Sequence, residues 1–224
     1  MPTTHPSAPS VRPLRAGEVG PLIEVFDRLS AQSRFLRFNA PLPRLTALMV
    51  EQLTAQEEGR HEAFVASVDG MAVGIGRWVR YAAHPQRADV AVEVVDAYHR
   101  RGIGRALMQA VTESAALAGV EFLFFCVRRD NDPARKPLAE AGVLTNVDDP
   151  EQLWIPVSRL LAHLRTREPA DGTLPRAGGL GLVRRPRPGP DSTQGRVRCP
   201  TAWIASQIGA MSSSSRTATQ RLTS

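Results

Sequence analysis

The sequence is poor in the features that mark several classes of protein. Its two cysteines, Cys126 and Cys199, are too few for a disulfide framework. No apolar run approaches the roughly 20 residues that a membrane-spanning helix needs. The first ten residues are rich in Pro, Ser and Thr and lack the apolar core of a secretion signal. We therefore expect a cytoplasmic protein with no membrane partner and no metal site.

Lysine is almost absent, because Lys136 is the only one in the chain and arginine supplies the other basic side chains. The formal net charge is +6. Residues 1–165 carry 19 basic and 19 acidic side chains, whereas residues 166–224 carry 9 and 3. The charge of the first part is balanced, so nucleic acid is not an expected partner. A nucleic-acid-binding function would depend on the arginines after residue 165.

Composition divides the chain into three parts. Residues 1–10 are expected to be disordered, and residues 11–165 have the periodicity of one folded domain. Residues 166–224 are dense in Pro, Gly, Ser, Thr and Arg and show no periodicity. Such a composition cannot bury a core, so we expect a disordered tail.

Apolar periodicity within the middle part predicts a mixed α/β sheet. Residues 69–70, Asp-Gly between two apolar runs, predict a hairpin, and residues 80–87 are predicted to form a loop. Pro133 fits the first position of a helix that Asp132 would cap. The predicted helices are 20–29, 30–38, 46–53, the stretch from the glycine turn to 118, 133–142 and 158–164. The predicted strands are 11–14, 62–68, 71–79, 88–95, 120–127 and 153–157.

One stretch has the order strand, glycine turn, helix. A valine-rich run at residues 90–95 leads into a turn that contains Gly102 and Gly104, and a helical pattern follows at once. Glycine lets the backbone approach a ligand closely, and the free N–H groups at a helix start favour a phosphate. Positive charge is added by three neighbours, which are Arg100, Arg101 and Arg105. The turn is therefore a candidate phosphate site.

Two common phosphate motifs do not fit this turn. The dinucleotide fingerprint needs a third Gly or Ala where this chain has Leu107, and no Gly-Lys-Ser/Thr is present. The run His99-Arg100-Arg101-Gly102-Ile103-Gly104 instead resembles motif A of the GNAT superfamily of N-acetyltransferases, with His99 where Gln or Arg is usual. The resemblance implies the GNAT fold, a mixed central sheet flanked by helices. It also implies that the loop binds the pyrophosphate of acetyl-coenzyme A (acetyl-CoA).

The resemblance implies further site residues. Acetyl transfer needs a neutral amine, and a carboxylate on the strand before the loop can take the proton. Asp89 matches the family's glutamate, and Glu93 lies on the same strand face, so both are candidates for the base. Backbone N–H groups of Val92 and Val94 would polarise the thioester carbonyl, and Asn131 would contact the pantetheine arm.

The last predicted helix departs from the family pattern. Many family members carry a tyrosine there that protonates the leaving thiolate, and this chain has Leu138. Pro137 is expected to remove a hydrogen bond and kink the helix. These departures leave open an alternative, a module that binds acyl-CoA as a sensor with little or no catalysis.

The segment of residues 29–38, Leu-Ser-Ala-Gln-Ser-Arg-Phe-Leu-Arg-Phe, resembles a segment of the GNAT domains of bacterial protein lysine acetyltransferases. That subgroup also lacks the tyrosine. The resemblance implies an N-acetyltransferase whose acceptor is a primary amine, with a protein lysine the favoured candidate.

Overall fold

The computed structural model describes residues 9–166. Within this range seven strands and six α-helices follow one another. The strands are β1 (Ser10–Pro13), β2 (His61–Val68), β3 (Met71–Tyr81), β4 (His84–Val94), β5 (Phe122–Cys126), β6 (Leu144–Thr145) and β7 (Gln152–Pro156). The helices are α1 (Val19–Arg28), α2 (Ala31–Phe38), α3 (Ala47–Thr54), α4 (Ile103–Leu117), α5 (Asp132–Glu140) and α6 (Val157–Thr166). Apart from residue 166, the expected tail lies outside the described residues.

All seven strands form one mixed sheet in the order β1-β2-β3-β4-β5-β7-β6. β4 and β5 run parallel, and the other neighbouring pairs are antiparallel. The parallel pair needs a crossover, and α4 provides it. This is the predicted fold class, an α/β sheet flanked by helices. The short strand β6 has no counterpart among the predicted strands.

The two central hairpins differ in how well the sequence predicts them. Asp69 and Gly70 have φ values of +51° and +80°, as a two-residue turn between β2 and β3 requires, so that prediction is confirmed. The loop expected at residues 80–87 is wrong, because β3 continues to Tyr81 and β4 begins at His84. The strand ends there project beyond the core, so their polar side chains lack the alternation that marks a half-buried strand.

Each face of the sheet is covered by three helices. α4, α5 and α6 bury one face over a core that includes Leu107, Leu138 and Leu160. α1, α2 and α3 bury the other over a core that includes Phe26 and Phe38. Two glycines of β3 let α4 approach the sheet closely. A Cβ on Gly74 would lie 2.9 Å from a carbonyl oxygen of β4, so no larger residue fits there without a shift.

Side chains cap three of the helices, and one of these caps corrects the prediction from the sequence. Ser30 and Thr46 accept hydrogen bonds from the N–H groups of Ser33 and Met49, and they cap α2 and α3. The cap of α5 is Asn131 and not Asp132, because the Asn131 side chain accepts from the N–H of Ala134. α5 also continues through residue 137 as one helix. No helix between residues 9 and 166 is long and apolar enough to cross a membrane.

Candidate active site

A gap opens in the sheet between β4 and β5. The two strands are paired at Arg87, Ala88 and Asp89, and the last pair is Asp89 with Phe124. Beyond that pair β4 remains bonded to β3 as far as Val94, while β5 is bonded to β7. The strands therefore separate toward their carboxyl ends, and Asp89 stands where they part.

Backbone N–H groups of β4 point into this gap. Val95 donates to the carbonyl of Val73 on the β3 side. Neighbouring residues of an antiparallel strand alternate in direction, so Glu93 also bonds toward β3, whereas Val92 and Val94 point toward β5. The register between β3 and β4 is regular along this stretch, so the irregularity lies between β4 and β5. Both predicted N–H groups thus face the gap.

The glycine turn lies at the carboxyl end of β4. Gly102 has φ +79° and is the N-terminal cap of α4, with no side chain accepting from the first helical N–H groups. The first bond of the helix runs from Ala106 to the Gly102 carbonyl, so the N–H groups of residues 103–105 precede it. A Cβ on Gly102 would meet nothing within 4 Å. The space above the turn is open, and its dipole and N–H groups favour an anion.

The side chains around this turn divide into two groups. Arg100 and Arg101 are exposed, and the Arg101 guanidinium lies 5.0 Å from the centre of the Tyr98 ring. Arg105 instead donates to the carbonyl of Leu164 on α6, so only its backbone N–H belongs to the turn. His99 holds the turn to β4, because its Nε2 lies 2.8 Å from the Val94 carbonyl oxygen and donates to it. The sequence missed this role of His99.

Asp89 and Glu93 lie on the sheet face beneath α1–α3, as the alternation predicted. They are 5% and 7% exposed. Glu93 is held by two arginines that the sequence did not single out. Its Oε2 lies 2.7 Å from Nε of Arg37 on α2, and its Oε1 lies 3.2 Å from Nη2 of Arg77 on β3. Arg77 also donates to the carbonyl of Leu53 on α3.

These contacts set the ionisation of the buried groups. Burial by itself raises the pKa of Glu93, but Arg37 and Arg77 outweigh it and hold that pKa below its usual value. Burial lowers the pKa of Arg77 to about 10, and Glu93 opposes the change. Burial, together with the charge of Arg77, lowers the pKa of His61 on β2 to about 4. At neutral pH the cluster therefore holds two guanidinium ions, ionised Glu93 and a neutral imidazole.

α2 spans the gap and is tied to both of its sides. At its start, Ser30 and Ser33 donate their hydroxyls to Asp96, which lies just after β4, at 2.9 and 2.6 Å. At its end, the Asn39 amide lies 3.8 Å from the sulfur of Cys126, the last residue of β5. The helix that carries Arg37 is thus fixed to the two strands that separate.

α5 follows β5 along the chain. Asn131 caps this helix, and its amide nitrogen remains a donor for a ligand because only its oxygen makes the cap. Leu138 is 8% exposed and packs in the core with α4. It offers no proton. Between residues 9 and 166 no group of three His, Cys, Asp or Glu side chains has the arrangement of a metal site.

Two separating parallel strands beside a helix that begins at a glycine agree with the GNAT fold that the motif suggested. The sequence profile of the Acetyltransferase (GNAT) family matches residues 27–142, just over half of the chain. The chain belongs to this family, whose activity is acyl transfer to an amine.

Known relatives agree with this assignment. The chain is 28% identical over 158 residues to Acetyltransferase Pat of Mycolicibacterium smegmatis, covering 65% of this chain and 47% of Pat. It thus spans about half the length of that relative. The GNAT domain of S. lividans PAT superposes with a TM-score of 0.61 at 25% identity, covering 65% of this chain and 89% of the domain. A GNAT acetyltransferase of Staphylococcus aureus Mu50, 14% identical with a TM-score of 0.54 over 67% of this chain and 99% of its own, shares the fold.

Proposed function

We propose that this chain transfers an acetyl group from acetyl-CoA to a primary amine, with a protein lysine as the favoured acceptor. The observation that carries the proposal is the gap between β4 and β5, which opens beside the N-terminus of α4. Backbone N–H groups of β4 and of the first turn of α4 face this space, and the ionised carboxylate of Glu93 lies on the sheet face beneath α2.

The donor fits these borders by its chemistry. A pyrophosphate needs N–H donors and positive charge, which residues 100–105 supply. A pantetheine arm is an extended chain with two amides, and an unpaired strand edge binds such a chain as it would bind another strand. The N–H of Val92 or Val94 would then stabilise the oxyanion that forms at the thioester carbonyl. Asn131 would donate from the opposite side.

The acceptor must lose a proton before it can attack. Neutralising a lysine with a pKa near 10.4 at pH 7 costs roughly 4–5 kcal/mol. Asp89 is proposed as the base, because it lies where the strands part and matches the family's acidic position. Glu93 is the second candidate, but both of its oxygens are engaged by arginines. Accepting a proton would break one of these ion pairs, which weighs against Glu93 as the base.

The order of events follows from these positions. Asp89 takes the proton from the bound ammonium group, the neutral nitrogen attacks the thioester carbonyl, and the oxyanion is stabilised by an N–H of β4. The C–S bond then breaks, a thiolate leaves, and the nitrogen releases its second proton to water, which gives the neutral amide. Since Leu138 has no proton to give, the thiolate would leave as the anion or take a proton from water.

The acceptor class is supported by α2 and by the relatives. Residues 29–38 carry the segment that resembles protein lysine acetyltransferases, and they form the cap and body of the helix over the gap. Two of the similar proteins are named Pat, one of them an acetyltransferase. A primary amine on a protein surface is the acceptor that this interpretation predicts.

A sensor of acyl-CoA is the second candidate function. The buried apolar Leu138, where many family members have a proton donor, favours it. A sensor would bind acetyl-CoA at the same turn and release no thiol when amines are added.

One assay distinguishes an acetyltransferase from a sensor of acyl-CoA. Coenzyme A release from acetyl-CoA is measured with a lysine-containing protein mixture, with a small-amine mixture and without acceptor, and acetyl-lysine is identified by mass spectrometry. Protein-dependent release with new acetyl-lysine supports the proposal. Release on small amines alone would contradict the protein acceptor, and calorimetric binding without turnover on any amine would favour the sensor.

A further inference from the structure

The carboxylate of Glu93 lies between two guanidinium groups from different layers of the molecule. Arg37 comes from α2 above the sheet and Arg77 from β3 within it. The side chains of all three are more than nine-tenths buried, with exposures of 8%, 5% and 5% for Arg37, Arg77 and Glu93. Burying three charges costs much of what their attraction returns, so stability alone is a weak reason to retain them.

The position of Arg77 connects this triplet to the proposed base. On the shared sheet face, Arg77 pairs with Ala91, which lies midway between Asp89 and Glu93. The arginine is therefore a diagonal neighbour of both carboxylates. Its electrostatic partners include Glu93, Arg37 and Asp89.

Other titratable groups around the cluster are few. His61 of β2 also faces Arg77, and it is neutral at pH 7. Glu57, before β2, acts on His61 in the opposite sense to Arg77. Among residues 9–166, the charged groups that act on Arg77 are Arg37, Glu93 and Asp89, so this set consists of two arginines and two carboxylates whose formal charges sum to zero.

We propose that Glu93 is a positioning residue that holds and neutralises Arg37 and Arg77, so that a cationic acceptor reaching Asp89 meets a charge-balanced site. The inference rests on the proposed function, in which the acceptor arrives as an ammonium ion. Without Glu93 two buried guanidinium groups would repel that ion. They would also stabilise the Asp89 anion, which would make Asp89 a weaker base.

Two substitutions that change the charge of the cluster in opposite directions test this role. Glu93→Gln keeps the shape and leaves an excess positive charge, whereas Arg37→Gln leaves an excess negative charge. We expect Glu93→Gln to raise the KM for the amine and to move the acidic limb of kcat/KM to lower pH by about one unit. Arg37→Gln is expected to move the limb to higher pH. The Kd of acetyl-CoA should change in neither variant.

Different results would overturn the proposal. If Glu93→Gln abolishes the acidic limb and lowers kcat by about a hundredfold or more, Glu93 is itself the base. If both variants lose thermal stability but keep the wild-type limb and KM, the triplet serves only to hold α2. The double variant Glu93→Gln/Arg37→Gln restores the balance, and its KM should return toward the wild-type value. If Glu93→Gln does not fold, Arg37→Gln carries the test, since a limb that stays at the wild-type pH in that variant would overturn the proposal.

Failure of the proposed function can be told apart from failure of this inference. If the wild type shows no turnover with any amine, the proposed function fails. The pH midpoint of the Asp89 carboxyl carbon, followed by NMR, still reports the charge effect. It should fall in Glu93→Gln and rise in Arg37→Gln, and equal midpoints in the three proteins would overturn the inference.

Discussion

The two sides of the gap are built from different parts of the chain. The proposed donor side consists of backbone: the N–H groups of β4 at residues 92 and 94, a glycine with φ +79° and the first turn of α4. The proposed acceptor side consists of buried charged side chains, above all Arg37, Arg77 and Glu93, which three separate elements bring together. A site made of backbone tolerates many side chains around it, whereas a site made of side chains depends on each of them. The two sides should therefore respond differently to substitution, pH and salt.

Substitution of Asp89 is expected to produce the largest difference between the two sides, with a large effect on turnover and none on acetyl-CoA affinity. Replacing it with Asn removes the proposed base and keeps the size of the side chain. We expect kcat to fall by about 10²- to 10⁴-fold, because that is the usual contribution of a general base. The acetyl-CoA affinity, measured by calorimetry, should stay unchanged because the donor side is intact. Equal turnover in Asp89→Asn and wild type would show that the base is another group.

The acceptor side should also carry the pH dependence of folding. The pKa of His61 is about 4 in the folded chain and 6.5 in the unfolded one, so between these values the unfolded state binds more protons. The free energy of unfolding should fall by about 2 kcal/mol from pH 7 to pH 5, above the range where carboxylates titrate. In His61→Gln, denaturant titration should show no such fall in the free energy of unfolding between pH 7 and pH 5. His84→Gln, at an exposed position, is the control and should retain it.

The donor side offers a matched pair of glycines. Gly102 and Gly119 stand at opposite ends of α4, both with φ +79° and both with open space where a Cβ would lie. A valine strains the backbone at either position by about 1–3 kcal/mol. Only Gly102→Val should weaken acetyl-CoA binding, by about tenfold or more, because only it displaces the N–H groups of the turn. Equal affinities in the two variants would place the phosphate elsewhere.

The smallest expected effect is on acetyl-CoA binding, and it should differ between two arginines of the same turn. Arg101 is exposed, so Arg101→Gln should weaken acetyl-CoA binding about threefold at low salt and less at high salt. Arg105 is bound to α6, so Arg105→Gln should lower the melting temperature and leave the salt dependence of binding unchanged. Calorimetry at two salt concentrations distinguishes these outcomes. The reverse pattern would mean that Arg105 leaves α6 when the ligand binds.

The same comparison explains what the sequence could predict. The glycine turn and the Asp-Gly hairpin are local, because each depends on a few consecutive residues. The faces of β4 also follow from alternation, which placed Asp89 and Glu93 together. These features were predicted from pattern alone.

The charge cluster is not local, and the sequence did not predict it. Arg37 and Glu93 are 56 residues apart, and only the packing of α2 on the sheet brings them together. One signal was available, since Arg77 interrupts the apolar strand Ala72–Trp78, and a charge at a buried position requires a partner. The role of His99 was hidden for a similar reason, because the carbonyl it binds becomes accessible only where the sheet separates.

The central claim is that acetyl-CoA binds in the gap between β4 and β5 and at the first turn of α4. Titration of acetyl-CoA into isotopically labelled protein, followed by backbone amide NMR, tests it directly. We expect the largest shifts at the N–H groups of Val92, Val94, Ile103 and Gly104, with the amides of β1 and β2 unchanged. Saturable binding that leaves those four amides unmoved would contradict this claim.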